Sequence, residues 1–450
     1  MSFNANGLTP IGGQSRHGQA PGRFAYKTAD ALAVVLAAGY IPATHAGLFA
    51  LGDKIDVVVV DNLAAPTQVL ATGELLVANI ASSVVSLVNV TDKNIGANRY
   101  IRVPFFFNQT DLLAGTSQRV LSPVAGSIAR IVAVVKKQVT TGGAIGLSLA
   151  GAAVAGLSIT VADAAAVGTV QTATPTAVQR VTEDQAVEIT AAAAFASAGE
   201  VFGYVEIAPD IPTDDIFIPF SINQTDLLAA TSQWVPAPVA GQIVKAATIA
   251  QVGVTTGGPI TIEIATVAVA GLQVDVADAA AAGDVDSDEI AADVATAAVA
   301  AEQAIEIIPG TLFATAGALN GYIRLRPTVP TEAQFLWFFA NQTDLLAATP
   351  HYGVAPVAGW ITRAVTAAQV GVTTGGPVTV EVGGVPVDGL SVTVADSASA
   401  GDIDRDNGAF HDITSRVGER GAVEVVFGTA FATAGALNGF VEVLPLDAVS

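Results

Sequence analysis

The sequence lacks cysteine and has no uninterrupted apolar stretch long enough to span a membrane. Without cysteine, neither a disulfide framework nor a cysteine-based metal site can form. The most apolar stretch, residues 31–51, is broken by Pro42, His45 and two glycines, whereas a spanning helix needs about 20 apolar residues. The first residues show no basic segment followed by an apolar one, so we expect neither a Sec signal peptide nor membrane insertion.

Basic residues are also scarce. The chain has 19 Lys and Arg against 40 Asp and Glu, a net charge of −21. Almost all the excess acid follows residue 98, and the only charged residues before Asp30 are Arg16, Arg23 and Lys27. Phosphate binding needs clustered Lys and Arg, so nucleic acid is a poor partner for this chain and we expect none. The acidic part of the chain is expected to confer solubility and mutual repulsion.

Signals of catalysis are absent as well. The four histidines have no ligand spacing, and the sequence contains no Gly-x-Ser-x-Gly, phosphate loop or dinucleotide fingerprint. The carboxylates that recur along the chain, at Asp111, Asp226 and Asp344, belong to a motif that can cap a turn. We therefore expect neither enzymatic activity nor an organic cofactor.

What the sequence does contain is one six-residue motif, Asn-Gln-Thr-Asp-Leu-Leu, in three copies. They begin at Asn108, Asn223 and Asn341, at intervals of 115 and 118 residues. Each copy is followed at matching distances by Pro-Val-Ala-Gly, Val-Thr-Thr-Gly-Gly and Val-Ala-Asp. Solenoid repeats are only roughly 20–50 residues long, whereas a unit of this length can bury its own core. The pattern predicts three sister domains.

Short alternating runs separated by glycine and proline turns predict a mainly β protein. In the second repeat, residues 259–264 alternate with period two, as a half-buried strand does. Seven or eight such runs per repeat are typical of an antiparallel β-sandwich, jelly-roll or Ig-like. Before the repeats, residues 1–25 read as an extended arm, followed by a short helix from Thr28 to Gly39 and three strand-like runs. This part is predicted to be a small α+β module.

The domains expected from this pattern are an N-terminal module at 1–98 and β-sandwich repeats at 99–211, 212–329 and 330–450. The joints between repeats are marked by Pro209 and Pro212, and by Pro327 and Pro330. Connections rich in proline act as semi-rigid spacers. We therefore expect the repeats to stand in line and not to fold back on each other.

An alternating acidic string occurs in the second and third repeats and is a candidate metal site. Its carboxylates are Asp284, Asp286, Asp288, Asp402, Asp404 and Asp406. Acids at alternate positions begin a calcium loop, but Gly408 comes one place late and no glutamate stands at the bidentate position. Two interpretations stay open: calcium binding in these two repeats, or an exposed acidic strand edge that discourages pairing with other strands.

Three aromatic residues, Trp234, Tyr352 and Trp360, fall at positions that the copies do not share. Positions that differ between sister domains are usually on the surface. These side chains are therefore candidates for contact with host-surface glycans, and otherwise are ordinary strand residues.

The segment Gly12-Gly-Gln-Ser-Arg-His-Gly-Gln-Ala-Pro-Gly-Arg-Phe-Ala-Tyr-Lys-Thr-Ala-Asp, with Leu51-Gly-Asp-Lys-Ile, resembles proteins encoded among the structural genes of tailed bacteriophages. Those proteins are taken to be capsid decoration or head-fibre proteins. The repeats, with Pro-Val-Ala-Gly-x-Ile and Thr-Thr-Gly-Gly, are similar to the β-sandwich domains of phage virion proteins.

The resemblance implies a non-enzymatic structural protein on the capsid exterior, bound to the major capsid protein by its N-terminal module, with the repeats projecting outward. It would stabilise the shell or adhere to host surfaces, and would assemble as a homotrimer at a local threefold axis. The candidate capsid contacts are Arg16, His17, Arg23, Tyr26 and Lys27.

Two other readings fit the same sequence. An exported bacterial adhesin with acidic Ig-like repeats would be stabilised by calcium. A phage tail fibre or a glycan-degrading tail spike would act at the tail, and a spike would need two carboxylates in one groove. Activity on host polysaccharide would distinguish the spike.

Overall fold

The computed structural model describes most of the chain, which divides into two compact units, Met1–Arg99 and Tyr100–Ser450. The described residues are 3–11, 22–30, 32–35, 40–50, 53–63, 65–66, 69–81, 84–89, 100–192, 195, 199–210, 213–290, 294–311, 313, 317–329, 331–408, 413–429, 431 and 435–446. Within these ranges, no helix is both long and apolar enough to cross a membrane.

In the part of the N-terminal unit that the structure describes, a five-stranded sheet is accompanied by one short α-helix and by 3₁₀ helices at Ala5–Gly7 and Ala43–Leu48. Its elements are β1 (Leu8–Pro10), β2 (Arg23–Thr28), α1 (Leu32–Val35), β3 (Lys54–Val60), β4 (Val69–Ala81) and β5 (Val84–Asn89). The strands lie in the order β1-β2-β3-β4-β5, and β2 pairs with β3 in parallel while the other pairs are antiparallel. Two strands thus occupy parts of the region expected to be an arm, since Phe24 and Tyr26 alternate into the core.

The second unit contains three nine-stranded repeats. The first has β6 (Ile101–Phe107), α2 (Gln109–Ala114), β7 (Ser117–Leu121), β8 (Gly126–Lys137), β9 (Gly143–Leu149), β10 (Ala152–Val161), β11 (Val170–Ala173), β12 (Gln179–Val181), β13 (Ala186–Ala191) and β14 (Glu200–Pro209). The second has β15 (Ile216–Ile222), α3 (Gln224–Leu228), β16 (Gln233–Pro236), β17 (Gly241–Val252), β18 (Gly258–Ile264), β19 (Val267–Val276), β20 (Val285–Glu289), β21 (Ala298–Val299), β22 (Ala304–Pro309) and β23 (Ala318–Pro327). The third has β24 (Gln334–Ala340), α4 (Gln342–Leu346), β25 (His351–Val354), β26 (Gly359–Val370), β27 (Pro377–Val382), β28 (Val385–Thr393), β29 (Ile403–Asn407), β30 (Arg416–Val417), β31 (Ala422–Phe427) and β32 (Ala436–Pro445).

Each repeat is an antiparallel β-sandwich, which confirms the predicted fold class. In the first repeat one sheet has the order β11-β8-β14-β6, with β12 also paired to β8, and the other has the order β10-β9-β13-β7. If β11 and β12 count as one interrupted strand, the orders are 6-3-8-1 and 5-4-7-2. These are two interlocked Greek keys, the jelly roll. The other two repeats have the same order.

The repeated motif forms the single helical turn between the first two strands of each sandwich. The side chain of Asn108 accepts a hydrogen bond from the amide of Asp111, whose carboxylate accepts the amide of Asn108 in return. Asn341 and Asp344 form the same capping box, whereas Asn223 accepts the amide of Asp226 and donates its side-chain amide to the Asp226 carboxylate. The first leucine of each motif is buried and packs into its own sandwich. The motif is therefore a capped turn, as the sequence predicted.

The expectation that the repeats stand in line is wrong. The first and third repeats, which the chain does not join directly, are in contact: Arg102 donates to the side-chain oxygen of Gln334 at 2.8 Å, and Lys136 lies 3.4 Å from Asp344. The long central strands of each sandwich are buried on both faces. A standalone sandwich would leave one face of these strands in water, so burying the second face favours packing of repeat on repeat.

Candidate functional site

The three repeats pack head to tail through one type of interface. The second strand of one sandwich lies across the outer face of the five-stranded sheet of the next. Thus β7 of the first repeat packs on β17 and β23 of the second, β16 on β26 and β32 of the third, and β25 on β8 and β14 of the first. Because the third interface returns to the first repeat, the contacts close a ring with approximate threefold symmetry.

A glutamine on the receiving sheet holds the crossing strand in two of the interfaces. Gln251 accepts a hydrogen bond from the amide of Arg119 at 2.7 Å and donates to its carbonyl. Gln369 does the same for Trp234, also at 2.7 Å from the amide. The pairing imitates a β-ladder with side-chain atoms, so it fixes the height at which each strand crosses its neighbour.

Ion pairs on the same strands form a second layer of contacts. Lys245 lies 2.8 Å from Glu183 in the preceding repeat, Arg363 lies 2.6 Å from Glu302, and Arg130 lies 3.1 Å from Glu419. The three bases occupy equivalent positions in their sandwiches. The three acids also occupy a common place, in the turn just before β13, β22 or β31. Each of these strands pairs with the crossing strand of its own sandwich.

Apolar side chains fill each interface between these polar contacts. Leu121 packs with Ala247, Ile249 and Tyr322 across the first interface. In the second, Trp337, Val365 and Phe440 of the third repeat belong to the same apolar cluster as the core of the second repeat. The residues that fill the third are Val132, Val134, Phe202, Tyr204 and Val354. These clusters show that the ring is held by desolvated packing as well as by charge.

Two of the three aromatic residues singled out in the sequence, Trp234 and Tyr352, lie inside these interfaces, which corrects the expectation that they are surface residues. The side chains at equivalent positions 119, 234 and 352 each contact a glycine of the next repeat: Arg119 at Gly283, Trp234 at Gly401 and Tyr352 at Gly168. Trp360 lies half-buried on β26, opposite Arg416. Positions that differ between copies therefore match different neighbours.

The third interface differs from the other two because Lys136 replaces the glutamine. Its ammonium group is buried, 3.1 Å from Glu200 and 3.4 Å from Asp344, and lies 4.9 Å from the centre of the Phe106 ring. Asp344 is also 3.1 Å from the Nε2 atom of His351. His351 takes the place of Gln118 and Gln233 in the sister repeats. A buried charged cluster thus joins the first and last repeats.

The titration of this cluster follows from its surroundings. Burial lowers the pKa of His351 below its ordinary value, and the charge of Lys136 adds to the effect, while the hydrogen bond to Asp344 opposes it. Burial alone would raise the pKa of Asp344, but the hydrogen bond with His351 and the charge of Lys136 outweigh it and lower the pKa. At neutral pH the histidine is therefore neutral and the aspartate is ionised.

A cavity of about 1060 Å³ lies among the three repeats. All three copies of the motif contribute to its wall through the capping pair, together with side chains from the crossing strands. The motif residues that line the cavity include Asn108, Asn223, Asn341, Asp111, Asp226 and Asp344. Among the described residues, no group of three or more Asp, Glu or His side chains is placed to hold a metal ion.

The acidic strings begin with Asp284 and Asp402, one residue before β20 and β29, and continue along these strands beside the long central strand of their sheets. Asp284 and Asp402 accept backbone amides of the preceding turn at 2.7 and 2.6 Å. Asp288 and Asp406 accept amides of the adjoining strand at 2.8 and 2.7 Å. Burial raises the pKa of Asp286 and Asp404. Calcium binding here stays a prediction that this geometry does not favour, since these carboxylates bond to the backbone and do not converge.

In the N-terminal unit, Arg16 and His17 lie outside the described residues. Arg23 is exposed and pairs with Asp56 at 2.8 Å, and Lys27 is exposed. Tyr26 is only 2% exposed and stacks with Phe3 in the core. The prediction for Tyr26 is therefore revised, because a ring buried in this way supports the sheet and cannot contact a partner.

The ring itself was missed, although the sequence carries a signal of it. Residues 131–135 (Ile-Val-Ala-Val-Val) are apolar without alternation, and a continuous apolar run is typical of a strand buried on both faces. In a sandwich with one wet face, this run predicts a neighbour on the outer side.

Comparison with known proteins gives little. No known protein family matches the chain, and no curated protein matches it. Among solved structures, the major capsid protein P2 from bacteriophage PM2 is similar at 12% identity, over 51% of this chain and 100% of that one, with a TM-score of 0.16. PBCV-1 VP54, fitted into a reconstruction of the virophage Sputnik, is similar at 11% identity over 52% of this chain and 95% of that one, also with a TM-score of 0.16. At these TM-scores neither likeness carries an argument about this chain.

Proposed function

We propose that the chain is a non-enzymatic structural protein of a phage virion, carried on the exterior of the capsid and attached to the major capsid protein through its N-terminal unit. The observation that carries the proposal is the use of the repeated motif. The side chains of Asn108, Asn223 and Asn341 cap turns, and all three capping pairs line the wall of one shared cavity, which is a structural use of the motif. The jelly roll is a fold that viral capsid domains use, and the N-terminal segment resembles phage decoration proteins.

The ring changes the expected stoichiometry. A homotrimer would present three copies of one sandwich around an axis, but a single chain already does so here. We therefore propose that one chain, and not three, faces each local threefold position of the shell. The mass bound per particle distinguishes the two arrangements.

Co-sedimentation of the full chain with purified capsids that lack it tests the proposal. We expect binding that weakens when Arg23 and Lys27 are both replaced by Glu, since these are the exposed bases of the candidate anchor. The matched control replaces Arg180 and Arg416, two exposed bases of the ring, by Glu. Wild-type chain that stays in the supernatant would overturn the proposed function, and equal binding of both double variants would overturn the assignment of the anchor.

A further inference from the structure

The second leucine of each motif is exposed on its own sandwich. Leu113, Leu228 and Leu346 are 43%, 44% and 48% exposed, whereas the leucine before each of them is buried. Core packing at this end of the sandwich does not require the same residue in every repeat, because the buried residue just before the motif is Phe107, Ile222 or Ala340. Three identical, exposed, large apolar side chains therefore need another explanation.

The approximate threefold symmetry of the ring relates these three leucines to one another. In every repeat the first strand runs toward the motif, so the motif lies at that end of the sandwich. Rotation about the ring axis carries each repeat onto the next and leaves height along the axis unchanged. The three side chains are therefore level with one another, and the capping residues of the same three motif copies line the cavity. We call this surface the leucine face.

Other exposed apolar residues lie at the same end. Val252 and Val370 end the long strands that run toward this face, and Val167 lies in a turn there, with exposures of 53%, 48% and 42%. The ring begins at Tyr100 and its last described residue is Leu446, both at the opposite end of their sandwiches. Tyr100 and Leu446 themselves thus lie away from the leucine face.

The charge of the face is acidic. An exposed aspartate stands at the same place in each repeat, where its carboxylate accepts the amide of a glycine in the adjacent turn: Asp163, Asp278 and Asp396. Asp284 and Asp402, which begin the acidic strings, are exposed in the neighbouring turn, and Lys137 is a base at this end. Like charge disfavours a second copy of this face or an anionic lipid surface, and favours a basic partner.

We propose that the leucine face docks on a protein surface of local threefold symmetry that offers three apolar pockets within a basic rim. Only such a partner engages all three identical leucines at once, and three linked contacts strengthen one another beyond any single contact. The inference rests on the proposed function in naming that partner as the capsid exterior at a local threefold position. The ring would then add a second attachment to that of the N-terminal unit.

The test compares full-length variants for binding to purified capsids that lack the protein. Glutamine at Leu113, Leu228 and Leu346 keeps helix propensity and removes the apolar contact. We expect the triple variant to bind about tenfold more weakly or worse, as loss of interface anchors does, with the single variants intermediate and equal. The matched control places Ser at Val178, Val329 and Ile413, which are equally apolar and more exposed, and should bind like the wild type.

The possible failures are distinguishable. If wild-type chain binds and the triple variant binds equally, the leucine face is not a docking surface, and the proposed function stands. If one leucine accounts for the whole loss, a threefold partner is excluded. If the wild-type chain does not bind capsids at all, the proposed function falls and this inference falls with it. Thermal melting of each variant confirms that it is folded, and Leu228→Gln alone serves if the triple variant is not.

Discussion

Gln369 holds the main chain of Trp234 from both sides, accepting from its amide and donating to its carbonyl. The two residues belong to different sandwiches and are 135 positions apart in the sequence. Asn438 donates to the same carbonyl at 3.0 Å. Arg119 has equivalent contacts: its amide donates to Gln251, and its carbonyl accepts a hydrogen bond from Asn320. Only the interface that joins the two ends of the ring departs from this pattern, with Lys136 and Phe202 at those positions.

Replacing Lys136 by Met should destabilise the protein by about 3 kcal/mol or more, because it leaves the buried carboxylate of Asp344 and the half-buried carboxylate of Glu200 without their cation. The neighbouring Lys137 is exposed, and Lys137→Met should change the free energy of unfolding by less than about 0.5 kcal/mol. Urea unfolding of both variants measures the difference. Equal effects would show that the charged cluster does not support the ring.

The stability of the third interface should fall as the pH drops below neutrality. Since the pKa of His351 is lower in the folded than in the unfolded protein, its contribution is present above the ordinary pKa of about 6.5 and is lost as the pH falls through the folded value. Asp344 also has a lowered pKa, but its contribution is lost only below about pH 4. Between pH 7 and 5 the histidine therefore dominates this site.

His351→Gln introduces the residue that both sister repeats have, so it should flatten the loss of stability between pH 7 and 5. Thermal unfolding at pH 7, 6 and 5 provides the measurement, with His45→Gln in the N-terminal unit as the control. A wild type and a His351→Gln variant with parallel pH profiles would contradict the assigned role.

Alanine at Gly401 should cost more stability than alanine at the equivalent Gly168 and Gly283. All three have positive φ, of 87°, 79° and 98°, and a side chain there costs about 1–2 kcal/mol in each case. At Gly401, however, the new Cβ would stand 2.8 Å from the Trp234 ring, whereas at Gly168 its nearest contact is 3.8 Å away and at Gly283 it is 3.6 Å away. Overpacking adds about 1–3 kcal/mol.

Chemical unfolding of these three variants isolates the interface, since backbone strain is common to all. Adding Trp234→Ala to Gly401→Ala removes the ring that the new Cβ would meet. Recovery of stability in this double variant would support the packing of Trp234 against Gly401. Equal losses at all three glycines would mean that Trp234 does not pack there.

Closure of the ring within one chain can be tested with introduced cysteines, because the chain has none of its own. Arg130 and Glu419 meet at 3.1 Å although 289 residues separate them. A chain with Cys at both positions should be joined by a short bismaleimide into a monomer of altered gel mobility. The controls are the single variants Arg130→Cys and Glu419→Cys, which should not give this band, and covalent dimers as the main product would place the contact between chains.

Much of the sandwich was predictable because its information is local. Period-two alternation in residues 259–264 and the glycine turns fix strands and their buried faces, and the capping of Asn108 on Asp111 follows from sequence alone. The strand order that distinguishes a jelly roll from an Ig-like fold is set by pairings between distant segments, so it could not be read from the sequence.

The ring could not be predicted because its determinants lie on different repeats. Comparing the copies suggested that positions 119, 234 and 352 are surface, on the assumption that sister domains share the same environment. In the ring each of these side chains packs against a different repeat. The residue at each position therefore differs because the surface it contacts differs. The prolines at the joints were equally misleading, because a stiff connection limits bending without determining its direction.

Joining three sandwiches in one chain has a genetic consequence for the Lys136, Asp344 and His351 cluster. In an assembly of three identical subunits, every substitution appears three times, and a change that suits one contact must suit all. A fused gene releases each contact to vary alone. The charged cluster occurs once, between the first and last repeats, because the equivalents of Lys136 in the other repeats are Gln251 and Gln369. An assembly of three identical subunits would have the cluster at all three interfaces or at none.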